Sequence, residues 1–405
     1  MTETMAAELD GVKMVWEAVG GQYGTYGRIL RVDSLPGPDA HRMRVAVELE
    51  KGTADITAVF AGDAELVSAV DFANAKPRFA PPSYVDAGRL TERALSVGEG
   101  AAALRATLVV PSGRRGVPAV LLVGGRKYND LDGSVGRARI FRDVAEGLAS
   151  RGIAVLRFDM RARDAKRMKA LGVEPSALTI EHEYLGDVAA ALATLRGARE
   201  VDPRRIFVAG HADGGWLGPW LLRDHPDVAG GILLAAPARH LVDRLVPEYV
   251  QRTELAKGKL TDLDRAKIAL MDAEAARARD PALPLDTPVD DLPLGKPAAY
   301  WKKVQGYDAV ATARALPQPL LILQGGRDER VTVAEDFARW KSGLGDRPDV
   351  EAKVYDALDH VLVAGQGPAT PEAYAKLDGH VAAEVISDIA DWVDRQASRP
   401  PGAPR

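Results

Sequence analysis

The chain has 405 residues, 46% apolar and 27% charged, which is ordinary for a globular protein and too apolar for a disordered one. Its 53 basic and 57 acidic residues nearly cancel, so the formal charge of -4 argues against nucleic acid or an anionic membrane as a partner. The absence of cysteine excludes disulfides, thiolate metal sites and a cysteine nucleophile together.

The N-terminus, MTETMAAELDGVKMVWEAV, has no basic region followed by an apolar run, and no stretch of about 18 uninterrupted apolar residues occurs. A cytoplasmic protein is therefore expected. The pattern predicts an amphipathic helix from Glu8 to Val19, stopped at Gly20-Gly21 because glycine accepts left-handed backbone. Three strand-like runs follow, YGRILRV, RMRVAVELE and ADITAVFAG, separated by the turn-forming SLPGPDAH and KGT. Residues 1–75 are thus expected to form a small α+β domain, followed by the proline-rich linker KPRFAPPSY over 76–84 and a larger domain over 85–397.

In that larger domain the runs ATLVVP, PAVLLVGG, IAVLRFDM, RIFVAG, GGILLAAPA, PLLILQGG and EAKVYDA are short and nearly uniformly apolar, as strands covered on both faces are. Helical segments separate most of them. The alternation predicts an open α/β fold with a mostly parallel sheet, binding ligands beyond the carboxyl ends of its strands. Residues 241–304 break the alternation with a charged, helix-prone segment, a proline-rich one and the aromatic pair Tyr300 and Trp301. An insertion of this size over the strand ends is expected to be a helical cap.

The stretch RRIFVAGHADGGWLGPWLL, Arg204 to Leu222, reads as a strand, a sharp turn and a helix start. Gly210, Gly214 and Gly215 supply the small side chains that a nucleophile elbow needs where the backbone is pressed close. At the nucleophile's position, however, stands Ala212. A phosphate-binding helix start fits less well, since GHADGG matches neither common glycine pattern and Asp213 would repel an anion.

In elbow-bearing hydrolases an acid and then a histidine follow the nucleophile in the chain. LLILQGGRDERVT places Asp328 just past an apolar strand, and EAKVYDALDHVLVAGQG places His360 in the loop after the next one. Adjacent loops let Asp328 hold His360 in the tautomer that accepts a proton. Asp356 and Asp359 are the nearest rivals to Asp328, and the remaining histidines lack a comparable glycine-rich strand end. The oxyanion donors are expected to be the backbone N–H groups of Asp213 and of Arg126 in LLVGGRKYND. Arg126 and Lys127 would either meet an anionic substrate or face solvent. Gly125, His211, Tyr300 and Trp301 are expected to line or support the substrate pocket, with His211 packed beneath the elbow. No metal-binding spacing occurs, and no cofactor is expected.

These motifs resemble the α/β-hydrolase superfamily, and more narrowly the bacterial serine carboxylesterases, akin to dienelactone hydrolases and acyl peptidases, that carry a small N-terminal domain of unknown function. The resemblance covers nearly the whole chain, including FRDVAEGLASRGIAVLRFDMR, the elbow, AAYWKKVQGYDAVATARAL, LLILQGGRDERVT and DHVLVAGQGPATPEAYAKLDGHV. It implies an α/β-hydrolase fold with a cap, a small-molecule acyl substrate, Asp328 as acid, His360 as base, and Arg126 and Asp213 as oxyanion donors. A homodimer is compatible with it.

Two departures stand out: Gly124-Gly125 where the family usually has His-Gly, and Ala212 in place of serine. Without a hydroxyl no acyl-enzyme forms, and a triad lacking one member keeps only roughly 10³ to 10⁴ over water. The simplest reading is a serine hydrolase deliberately changed to alanine, because the pair and the elbow glycines are all present. The alternatives are a natural serine-less enzyme using His360 and Asp328 for water attack, proton transfer or cyclisation, and a ligand-binding protein on a hydrolase scaffold.

Overall fold

The computed structural model describes residues 79–126, 130–161 and 168–398 and, before them, residues 13, 16, 17, 19–21, 23–35, 40–50, 52–61 and 67–77. The chain divides into two compact units, Met1–Pro81 and Pro82–Arg405.

The first unit is built on an antiparallel meander of β1 (Tyr26–Leu35), β2 (Ala40–Leu49), β3 (Gly52–Ala61) and β4 (Val67–Pro77), hydrogen-bonded in chain order. Tyr23, Val47, Leu49 and Ala54 form its small core, with Trp16, Val19, Val45 and Ile56 packed against them. The helix expected to stop at Gly20-Gly21 instead still includes Gly21 and Tyr23. It ends at Gly24, whose φ of 81° is left-handed and whose N–H donates to Gly20 O at 2.8 Å. The start of that helix, from Glu8, lies outside the described residues. The strand β4 was not expected from the sequence. Its pairing with β3 shifts register between Thr53 and Asp55 and again between Val59 and Phe60, and such irregularities erase the two-residue period by which a strand is read. Lys76 and Pro77 belong to it, so the proline-rich 76–84 segment begins as strand.

The second unit holds an eight-stranded sheet. In chain order its strands are β5 (Leu90–Val97), β6 (Leu104–Pro111), β7 (Val117–Val123), β10 (Ala154–Phe158), β11 (Val201–His211), β12 (Gly230–Leu234), β13 (Leu320–Gly325) and β14 (Val350–Tyr355). The two-residue strands β8 (Ser134–Val135) and β9 (Ala138–Arg139) form a separate hairpin. The spatial order is β14-β13-β12-β11-β7-β10-β6-β5, parallel from β14 to β10 and antiparallel for β6 and β5. Every residue of β7, β10, β12 and β13 is buried, which is why these strands read as unbroken apolar runs. The edge strand β5 is mostly exposed and carries Glu92 and Arg93, so it has no such signature.

Helices cover both faces. On one side α1 (Ile140–Ser150) packs with the C-terminal helix, Ala383–Ala397, and on the other lie α2 (Gly186–Arg196) and α3 (Asp213–Asp224). Pro219 inside α3 cannot donate to the helix ladder. The hydroxyl of Tyr307 enters the ladder beside it, donating to Trp216 O at 2.7 Å and accepting from Trp220 N at 3.3 Å, so the disrupted turn keeps its hydrogen bonds.

The 241–304 insertion folds as α4 (Leu241–Lys257), α5 (Asp262–Arg279) and, after two short turns, α6 (Ala298–Val304). Thr261 and Asp264 close a reciprocal capping box that starts α5. No helix among the described residues is long and apolar enough to cross a membrane.

Candidate active site

The elbow is one residue long. β11 ends at His211, α3 begins at Asp213, and Ala212 between them has φ 53° and ψ -119°. A residue with a Cβ rarely adopts this backbone, at a cost on the order of 1–3 kcal/mol. Surrounding contacts hold it there: Ala212 N donates to Leu234 O at 3.0 Å, and Ala212 O accepts from Trp216 N at 2.9 Å. The glycines permit the close approach. A Cβ on Gly214 would lie 2.2 Å from Val123 O, and one on Gly125 only 3.2 Å from the Ala212 Cβ. Gly214→Ala is therefore expected to force backbone movement and destabilise by about 1–3 kcal/mol, read as a lower urea midpoint. An unchanged midpoint would contradict so tight an elbow.

Asp328 follows β13, and His360 lies in the loop after β14, on the neighbouring strand. Their side chains meet with His360 Nδ1 2.8 Å from Asp328 Oδ2, and both are buried. The other donors around Asp328 are Arg330 N at 2.8 Å and Val331 N at 2.9 Å on Oδ1, and Gln324 Nε2 at 3.0 Å on Oδ2. Burial by itself would raise the Asp328 pKa, but the His360 ring and these donors outweigh it and hold the carboxyl below its ordinary value. An ionised carboxylate only accepts, so Nδ1 of His360 carries the donated proton, which leaves Nε2 of the neutral ring as the basic nitrogen. The rival Asp359 is spent on its own loop, accepting from Val361 N and Val363 N, and Asp356 is exposed.

His211 lies beneath this pair. Its Nε2 is 2.8 Å from His360 O and must donate, since a carbonyl oxygen cannot. Burial, reinforced by the neighbouring His360, pushes its pKa down to about 3, so the ring stays neutral and acts as a fixed prop for the loop. Tyr374 adds a second prop, its hydroxyl accepting from His360 N at 3.1 Å.

Ala212 and His360 line one cavity of about 310 Å³, together with Gly125, Arg126, Asp213, Arg244 and Glu248. Asp213 is largely buried and clamped by two guanidinium groups. Arg126 Nη1 lies 3.2 Å from its carboxylate, and Arg244, itself buried, pairs with it directly and with Glu248 at 2.7 Å. The two carboxylates around Arg244 outweigh its burial and keep the guanidinium protonated. The Arg126 N–H is directed at Asp213 Oδ2 over a long 3.4 Å. Lys127 lies outside the described residues.

Tyr300, Trp301 and His211 do not line the cavity, and His211 packs beneath it. Tyr300 and Trp301 are buried in the main apolar core with Val304. Excising 241–304 would thus remove core as well as cap. Conversely, Arg244, Glu248, Arg330 and Tyr374 line the cavity without having been anticipated. For Arg244 and Glu248 the local hint was charge on an amphipathic stretch, which usually means a solvated face.

Residues 131–366 match a family described as serine aminopeptidase, S33. The chain is 30% identical over 381 residues to the esterase EstD of Thermotoga maritima, across 94% of this chain and 86% of that one. Among solved structures it is similar to an esterase of Pyrobaculum calidifontis, at 16% identity and a TM-score of 0.47 over 76% of this chain and 87% of that one. It is also similar to Est1E from Butyrivibrio proteoclasticus, at 16% identity and a TM-score of 0.46 over 76% of this chain and 99% of that one.

Proposed function

The chain belongs to the serine aminopeptidase S33 family of α/β-hydrolases, of carboxylesterase type, and on that premise we propose that its cavity is the acyl-binding site of a carboxylic ester hydrolase whose nucleophile position is held by Ala212. One observation carries the reading: the buried 2.8 Å pair of His360 and Asp328 opens onto the same cavity as Ala212. With a hydroxyl at position 212, His360 Nε2 takes its proton and the oxygen attacks an ester carbonyl. The resulting oxyanion meets the N–H of Asp213 at the start of α3, and it can displace the long bond from Arg126 N to Asp213 Oδ2. With alanine the pair keeps its geometry but has no nucleophile to activate. The protein as written then binds esters without forming an acyl-enzyme, as a replaced serine would leave it.

Covalent capture tests this. A fluorophosphonate probe should label the Ala212→Ser protein and leave the Ala212 protein unmodified. A folded Ala212→Ser protein that stays unlabelled overturns the proposal.

Asp213 favours a second reading. Its carboxylate, held beside the elbow by Arg126 and Arg244, opposes an oxyanion forming nearby, whereas proton transfer by His360 between heteroatoms, with no addition to a carbonyl, builds no such anion. On this reading the Ala212 protein turns over a substrate without any acyl-enzyme, and His360→Ala abolishes that turnover. Turnover surviving His360→Ala would remove it.

A further inference from the structure

The cavity beside Ala212 continues into an outer chamber of about 180 Å³ beneath the cap. Leu245, Leu255 and Met271 supply its apolar wall, while Arg126, Glu248, Arg330, Pro371 and Tyr374 border both chambers. The cations at this junction are not equivalent. Arg244 is satisfied by Asp213 and Glu248, and Arg126 shares Asp213 with it. Arg330 is different: among the described residues no carboxylate lies within ion-pair distance of its guanidinium, which rests 5.2 Å from the Tyr374 ring centre. Its backbone is anchored beside the acid–base pair, with its N–H donating to Asp328 at 2.8 Å, and the hydroxyl of Tyr374 beneath its guanidinium accepts from His360 N. An arginine anchored beside the acid–base pair, half-buried, facing a cavity and lacking an internal counterion is a ready partner for an anion, since its planar fork matches a carboxylate.

We propose that the cavity takes an acyl compound bearing a carboxylate, with the anionic group paired to Arg330 at the chamber junction and the remaining apolar part in the outer chamber. This names the substrate class of the site and rests on the ester hydrolase reading for the word acyl, but its test involves no turnover. Glutaranilate and its primary carboxamide have the same shape and differ by one charge. Binding of each to the Ala212 protein at pH 7 is measured by calorimetry.

The carboxylate should bind at least about tenfold more tightly than the carboxamide, as a charge-assisted pair requires. That preference should vanish in Arg330→Gln, return in part in Arg330→Lys, and shrink in the unsubstituted protein at about 0.5 M salt. The salt series needs no variant and stands even if Arg330→Gln fails to fold. Equal affinity for the two compounds, no binding of either, or a preference unchanged by salt and by Arg330→Gln overturns the proposal. Failure of fluorophosphonate labelling would leave this result standing and would count only against the hydrolase reading.

Discussion

Ala212→Ser protein should hydrolyse a short-chain aryl ester at least about 10³-fold faster than the Ala212 protein. The expectation follows from how the missing group relates to those present. Nucleophile, base and acid act as a unit, so a site lacking only its nucleophile has lost most of their joint effect, and the last member restores it. His360 and Asp328 need no rearrangement, since the 2.8 Å bond is made and both groups are buried among fixed partners. The backbone at position 212 already has the φ of 53° that projects a side chain from the elbow, and one added oxygen is a small demand on a cavity of about 310 Å³. The measurement is kcat/KM on a panel of esters, thioesters and lactones. A folded Ala212→Ser protein inactive on all of them would count against the ester hydrolase reading and leave the serine-less one.

In that serine-restored background Asp328→Asn should lower turnover by about 10³-fold or more, and the reason is the direction of hydrogen bonds. Asp328 Oδ2 accepts from both His360 Nδ1 and Gln324 Nε2, while Oδ1 accepts from the N–H groups of Arg330 and Val331. An asparagine oxygen can replace Oδ1 against the two backbone donors. Its amide nitrogen then faces His360 and Gln324 and can only donate. His360 must accept at Nδ1, its proton moves to Nε2, and the ring presents a donor where a base is needed. Substrate binding should change far less than kcat, because Asp328 does not line the cavity. A loss confined to KM, or none at all, would show that His360 is not oriented by Asp328.

The local parts of this molecule were readable from its sequence because their causes are local. Strands buried on both faces read as apolar runs, and a one-residue turn between strand and helix demands glycines at fixed offsets, which Gly210, Gly214 and Gly215 supply. Asp328 stands just beyond such a strand and His360 in the loop after the neighbouring, more exposed edge strand, so parallel neighbours bring them together without any long-range detail. Where the signal was weak, the cause is equally physical: β5 is an exposed edge with charged residues, and β4 is broken by register shifts.

Only the tertiary structure decided which charges meet and which way the aromatic residues face. Arg244 and Asp213 come from different helices, and whether an arginine on an amphipathic helix is solvated or buried against a carboxylate depends on what is packed opposite it. The same holds for Tyr300 and Trp301, whose helix could have presented them to the cavity but buries them in the main core. Arg330 completes the contrast. Its position two residues after Asp328 was written in the chain, but its lack of a carboxylate partner among the described residues depends on every element packed around it, and no local pattern encodes that.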